Sequence, residues 1–178
     1  VYWCLDAPFV QIVGLYSNSA ENPGFISGPN PGQKQKQWLV NTLKALKVAR
    51  DKGTRKALFF ATHHPPYSSG GHSGSTTMLA ESDDACKQAG VMPDVVLAAH
   101  AHNYQRFTRS VTVNGKNTLI PYIVACLGGR GISPVKRGDG SNVTDAWGSP
   151  TVNNYFLGYG HLTITSSNNK FEIKGYQV

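Results

Sequence analysis

Three short apolar runs, separated by two stretches of helical periodicity, constrain this chain more than any other feature. The runs are Phe9–Tyr16 (FVQIVGLY), Lys56–Thr62 (KALFFAT) and Asp94–Ala99 (DVVLAA). Each is short and rich in β-branched, aromatic or aliphatic residues, so each reads as a strand. From Lys34 onward Leu39, Leu43 and Leu46, with Trp38, Ala45 and Ala49, form one apolar face opposite lysines and glutamines. That is an amphipathic helix, and Gly53 closes it as a C-cap. A second, shorter helix runs over about Met78–Gln88 and ends at Gly90. Strand, helix, strand, helix, strand predicts βαβ crossovers and a parallel sheet. KALFFAT is almost wholly apolar, which predicts cover on both of its faces. The carboxyl ends of such strands share one rim, and open α/β sheets place their ligands there.

Beyond Arg106 the pattern becomes antiparallel. Val111–Val113, Asn114-Gly115 and Thr118–Ile120 predict a hairpin with a two-residue turn. Tyr122–Leu127 predicts a further strand, Gly128–Asn154 a loop, and Tyr159–Thr165 with Lys170–Tyr176 a closing hairpin across Ser166–Asn169. A length of 178 residues without repeat or linker fits one domain. No apolar run approaches the roughly 20 residues of a membrane span, so no membrane partner is expected. Val1–Asp6 lacks the charged start and apolar centre of a signal peptide. A chain opening without Met, close to a strand, reads as the interior of something longer.

The net charge is +7, from 17 Lys and Arg against 10 Asp and Glu. The basic residues are scattered, mostly along the first helix, and read as a solvated surface that would suit an anionic substrate. No basic cluster interleaves with aromatics, which argues against nucleic acid except as a substrate. Cys4, Cys86 and Cys126 show no CxxC spacing, hence neither a zinc knuckle nor a redox motif. The compartment stays open: a soluble chain, with secretion or a periplasmic location compatible. Asn142-Val143-Thr144 matches a glycosylation sequon, a triplet that is common by chance.

Histidines carry the chemistry. His63 and His100 each follow a parallel strand directly, which predicts that they share a rim. His100 and His102, spaced i, i+2 and read as extended backbone, would project from one face. His63, His64 and His72 lie in the long loop His63–Thr77, and loops of that length in compact domains are commonly functional. A lone histidine after a strand is ordinarily structural, but two clusters on one rim point to a metal. Neutral imidazole suits Zn, Fe, Mn, Co or Ni alike. A catalytic metal site also needs carboxylates for charge balance and an exchangeable position. The only nearby acid is Asp94, at the far end of its strand.

Thr62-His63-His64-Pro65-Pro66-Tyr67-Ser68, with His72 beyond it, and His100-Ala101-His102-Asn103-Tyr104 resemble the calcineurin-like metallophosphoesterases, above all the purple-acid-phosphatase-like members. The resemblance implies a mixed-sheet α/β/β/α sandwich. Residues 1–178 would form a single, partial catalytic domain, its carboxyl-terminal part, incomplete at the N-terminal side. It implies His63 and His100 as ligands of one metal and His102 as a ligand of the other. His72 would be catalytic, touching the phosphate or protonating the leaving group. A register shift of one residue would exchange His63 with His64. Two divalent or trivalent ions (Fe, Zn or Mn) and a phosphate-ester substrate follow, hydrolysed by metal-bound hydroxide. The family's usual glycine before the first histidine of the pair is Ala99 here, which is expected to crowd the backbone turn.

The family's Asp-x-His, Gly-Asp-x-x-Asp and Gly-Asn-His-Asp/Glu motifs, with the bridging Asp, the Asn ligand and a substrate-facing histidine, are absent from these residues. Asp6 aligns beyond them. The chain therefore reads as the His-rich half of a dinuclear site. A missing N-terminal segment or a neighbouring chain would complete it. The alternative is a non-catalytic binding or structural module that keeps the fold. A sheet lacking its first strands is expected either to make extensive contact with a neighbouring copy or to expose an apolar patch near Phe9–Tyr16 and Val95–Ala99. Other residues read blandly: Arg106 as a structural partner, Tyr67 as a loop former, Trp38 as core and His161 as structural. Gly128-Gly129-Arg130-Gly131 lacks the Lys-Ser/Thr of a P-loop.

Overall fold

Strand pairing turns the apolar runs into one surface. A computed structural model describes residues 1–19, 24–28, 32–69, 72–113, 115–135, 152–168 and 170–178. The elements are β1 (Trp3–Asp6), β2 (Val10–Leu15), α1 (Gly32–Asp51), β3 (Ala57–Thr62), α2 (Thr76–Ala89), β4 (Val95–Ala98), β5 (Tyr104–Val113), β6 (Lys116–Ala125), β7 (Val152–Phe156), β8 (Gly160–Ser167) and β9 (Lys170–Gln177). Seven strands form one sheet in the order β1-β2-β3-β4-β6-β5-β7, and β8 pairs with β9 separately. β2, β3, β4 and β6 are mutually parallel, as the βαβ alternation requires, while β1, β5 and β7 run antiparallel to their neighbours. The chain is a mixed α/β fold.

Alternation along β3 sorts its side chains between two cores. Leu58 and Phe60 face the helices, joining Leu39 and Leu43 of α1 and Met78 and Leu79 of α2. Phe59 faces the other way, with Val95, Ile123 and the hairpin residues Leu162, Phe171 and Ile173. Both faces of the strand are therefore dry, as KALFFAT predicts. The layers are helices, seven-stranded sheet and two-stranded hairpin, three of the four that the resemblance implies. Helix α2 is bounded by its own sequence: the Ser75 side chain accepts from the Met78 N–H, and Gly90 ends it at φ 70°. Arg109 of β5 forks onto both carboxylate oxygens of Asp83 on α2 at 2.7 and 2.5 Å and donates to the Tyr122 hydroxyl at 3.1 Å. That charged fork ties the helix to the sheet.

The structure departs from the sequence reading at several points. β1 was not foreseen; its residues Trp3–Asp6 are all exposed, so no burial pattern marks them. The hairpin after Arg106 is longer than predicted. Thr118–Ile120 and Tyr122–Ala125 are one strand, continuous through Pro121. Pro121 is tolerated because β4 pairs with β6 only from Tyr122 onward, leaving position 121 partnered by β5 alone. The loop over Gly128–Asn154 is cut short by β7. Asn114, Asn169, the 136–151 part of that loop and the Asn142 sequon lie outside the described residues. The expected apolar patch is also displaced. Val13, Leu15, Val95 and Val96 are buried, because α1, α2 and the β8–β9 hairpin cover them. Exposure falls on Trp3 (45%), Leu5 (51%) and Phe9 (38%) at the β1 edge. No helix among the described residues is long and apolar enough to cross a membrane.

Cys86 lies on the buried face of α2, and desolvation, reinforced by Asp83, pushes its thiol up to about 12. A raised thiol pKa means the native state holds a proton that the unfolded chain releases above its ordinary value of 9.0. Stability is thus expected to fall as pH rises from about 9 toward about 12, with Cys86→Ala flattening the slope in urea titrations. At pH 8 a thiol reagent is expected to label Cys4, exposed on β1, and to reach Cys86 only in the unfolded chain, as peptide mass spectrometry would show.

Candidate metal centre

The parallel strands β2, β3 and β4 end on one rim, and the histidines stand there. Leu15 is level with Thr62, and Ala61 with Leu97, so the residues just beyond β2, β3 and β4 are Ser17, His63-His64 and His100. The ring nitrogens of His63, His64 and His100 lie within 4.8 Å of one another. His63 Nε2 is 3.0 Å from His100 Nδ1. The His64 and His100 rings are 4.4 Å apart, and His72 brings its ring within 4.4 Å of His100.

The environments of these histidines differ. His63 is exposed, His100 and His72 are partly buried, and His64 is fully buried at 0% exposure. Ser17 Oγ lies 2.9 Å from His64 Nδ1 and accepts the His64 backbone N–H at 3.0 Å. Gly24 packs closely on the His64 ring: a Cβ there would fall 2.2 Å from His64 Cγ, and its φ of +85° suits glycine. The Gly24 carbonyl in turn accepts from the hydroxyl of Ser75, the N-cap of α2. Glu81 of α2 accepts from the Ile26 and Ser27 backbone N–H groups and the Ser27 hydroxyl, fixing the same loop.

His100 sits in a turn, which corrects the reading of Ala99–Arg106 as extended backbone. β4 ends at Ala98, and the chain must reverse to enter β5 at Tyr104. The Ala101 N–H reaches back to the Ala99 carbonyl at 2.8 Å, with His100 between them at φ 66°. Among the described residues His100 is the one non-glycine with positive φ. Such a conformation costs on the order of 1–3 kcal/mol and persists where surrounding bonds enforce it. One of these is the Ala99 N–H, which donates to the His63 carbonyl at 3.0 Å. Position 99 itself does not take positive φ, so alanine sits there without backbone strain.

His102 lies outside the three-histidine group. Its Nδ1 lies 2.9 Å from the Gly131 carbonyl, in the glycine-rich loop after β6, and its ring is 6.1 Å from that of His72. The loop that fails as a phosphate loop thus orients a histidine instead. Gln105 holds the His63–Thr77 loop from below: its Oε1 accepts the Ser69 N–H at 2.8 Å, and its Nε2 donates to Ser68 Oγ and Asn103 Oδ1. Tyr67 is buried against Phe107 and Tyr122, the loop-forming role expected of it. Arg106 is exposed on β5, and His161 stacks on Tyr176 in the closing hairpin. Trp38 packs against the helix-side core and Tyr2. Ser17, Gly24 and Gln105 escape a sequence reading, because nothing but the three-dimensional path brings them to the histidines.

The donor set fits a single cation. Two nitrogens bound at about 2.0–2.1 Å and at right angles would lie about 3 Å apart, which is the separation between His63 and His100. It does not fit two ions by itself, since no Asp or Glu joins the group among the described residues. The nearby acids are committed elsewhere. Asp94 accepts from Arg50 and the Leu58 N–H, and Asp6 pairs with Lys56, both on the opposite rim.

No protein-family profile matches the chain, and no curated protein matches it. Among solved structures the chain is similar to GAP50, the anchor in the inner membrane complex of Plasmodium, at 17% identity and a TM-score of 0.46, over 76% of this chain and 41% of that one. It is also similar to PhoD at 14% identity and a TM-score of 0.47, over 99% of this chain and 42% of that one. The chain thus spans well under half the length of either structure.

Gly24→Ala combines positive φ with overlap on the His64 ring and is expected to lower unfolding stability by roughly 2–4 kcal/mol. Gly53→Ala, also at positive φ but with open space around it, is expected to cost only about 1 kcal/mol. Urea unfolding of both variants checks the contrast.

Proposed function

We propose that this chain is the histidine-bearing half of a metal-dependent phosphoesterase. The observation that carries the reading is the convergence of His63, His64 and His100 at the rim of the parallel strands, with His72 beside them. His63 and His100 would hold one cation, and His102, set apart on Gly131, would serve a second. The family's two divalent or trivalent ions, Fe, Zn or Mn, are part of this proposal. Such ions, when bound, polarise phosphoryl oxygens and make water acidic enough to attack at neutral pH. His72 is partly exposed at the mouth of the group, and there it would donate a hydrogen bond or a proton to the phosphate ester. The basic balance of the chain favours the approach of an anionic substrate.

Two dications do not share a site without a bridging carboxylate to offset their repulsion. The acid ligands would come from another segment of the protein or from a neighbouring chain. The absence of any carboxylate from the group among the described residues also favours a second reading, a non-catalytic module that keeps the fold.

The two readings separate by experiment. Alone, the 178-residue chain is expected to bind at most one Mn²⁺ or Zn²⁺ weakly and to turn over p-nitrophenyl phosphate negligibly. A longer protein carrying Gly-Asp-x-x-Asp and Gly-Asn-His upstream is expected to hydrolyse it, and His100→Ala or His63→Ala to reduce kcat by at least about 100-fold. Unchanged turnover in both variants would sink the phosphoesterase reading. Robust turnover by the isolated chain, lost in His100→Ala, would sink the half-site reading.

A further inference from the structure

The peptide unit joining His63 to His64 is bonded on both of its sides. Its carbonyl, from His63, accepts the Ala99 N–H at 3.0 Å. Its N–H, from His64, donates to Ser17 Oγ at 3.0 Å. β2 and β3 pair as far as Leu15 and Thr62, so beyond them no backbone rung is available on the β2 side. The Ser17 hydroxyl supplies that rung from a side chain. The same oxygen lies 2.9 Å from His64 Nδ1. Ser17 is 1% exposed and His64 0%, so water does not compete for these bonds.

We propose that Ser17 is a positioning residue for the metal centre: one buried hydroxyl fixes the backbone and the imidazole of His64 and thereby sets His63 against His100. This rests on the reading that His63 and His100 hold a cation. Its consequence is a division of labour between the adjacent histidines. His64 is the strut, gripped by Ser17 and closely covered by Gly24. His63, exposed and 3.0 Å from His100, is the ligand. The choice between them, open from the sequence, falls to His63 because a ligand ring must reach a site that solvent and substrate also reach. The strut works through the backbone: the same peptide plane is tied to the ends of β2 and β4, so the separation between His63 and the His100 turn cannot drift while both bonds hold. Groups that orient metal-binding histidines in this way are commonly worth 10–100-fold in metal affinity.

The test is cobalt(II) binding to the purified chain, followed by its visible absorption, in wild type, His63→Ala, Ser17→Ala and Ser17→Thr. His63→Ala is expected to abolish saturable binding. Ser17→Ala is expected to weaken it by about 10–100-fold with an altered band shape, and Ser17→Thr, which keeps the hydroxyl, to restore it to within a few-fold. Binding of wild-type strength in His63→Ala overturns the underlying metal assignment. Loss in His63→Ala with wild-type affinity in a folded Ser17→Ala overturns the positioning role alone. Should Ser17→Ala fail to fold, histidine-selective nitrogen-15 spectra of the wild-type chain decide. Zinc is expected to shift the His63 and His100 ring nitrogens and to leave the His64 Nδ1 signal in place, and a His64 shift as large as that of His63 overturns the proposal.

Discussion

Parallel pairing of β2, β3 and β4 is the constraint on which the rest of this molecule depends. It places the ends of three strands that are distant in sequence on one rim, and within two residues of each end stands a polar residue: Ser17, His63 and His100. The pairing holds because β3 is dry on both faces, with Leu58 and Phe60 under the helices and Phe59 under the β8–β9 hairpin. A strand buried on both sides cannot slip by one residue without exchanging every side chain between two cores. The register of the histidines is therefore set by aliphatic and aromatic packing well away from them.

Rigid strand ends do not by themselves gather imidazoles. The grouping comes from two local departures from sheet geometry, and both are backbone events. Beyond β3, the Ser17 hydroxyl replaces a missing ladder rung and holds the peptide before His64. Beyond β4, the chain reverses through a turn with His100 at φ 66°, which swings its ring toward His63. The two are joined by the bond from Ala99 N–H to the His63 carbonyl. A strained residue tied directly to a clustered pair of side chains is the arrangement expected where function, rather than stability, has selected the conformation.

Much of the fold was legible, and the limit of legibility is physical. The strands β2, β3 and β4 and the two helices are announced by apolar runs and helical periodicity, and Gly90 ends α2 as its sequence position predicts. β1 carries no such mark, because all four of its residues are exposed and hydrogen bonding to β2 alone makes it a strand. That the two histidine stretches meet on one rim was also legible, since each follows a parallel strand. Their geometry was not. Reading Ala99–Arg106 as extended backbone put His100 and His102 on one face, whereas the turn sends His100 to His63 and leaves His102 on the Gly131 carbonyl. Hydroxyls such as Ser17 are too common in sequence to be noticed, and only the fold reveals that one of them is buried against a histidine.

The distribution of acids explains why this centre, as the chain builds it, is one of neutral donors. Asp6 and Asp94 serve the amino-terminal rim, against Lys56 and Arg50. Asp83 is forked by Arg109, and Glu81 is spent on the backbone of the loop that carries Gly24. Each of these four carboxylates stabilises the scaffold at a place where its charge is answered, and none of the four can turn to the histidines without abandoning that partner. A cation among imidazoles alone would keep its full charge in a partly buried site, where the surroundings screen it less than water does. Among the described residues the rim therefore carries imidazoles alone, and the acids bind the scaffold away from it.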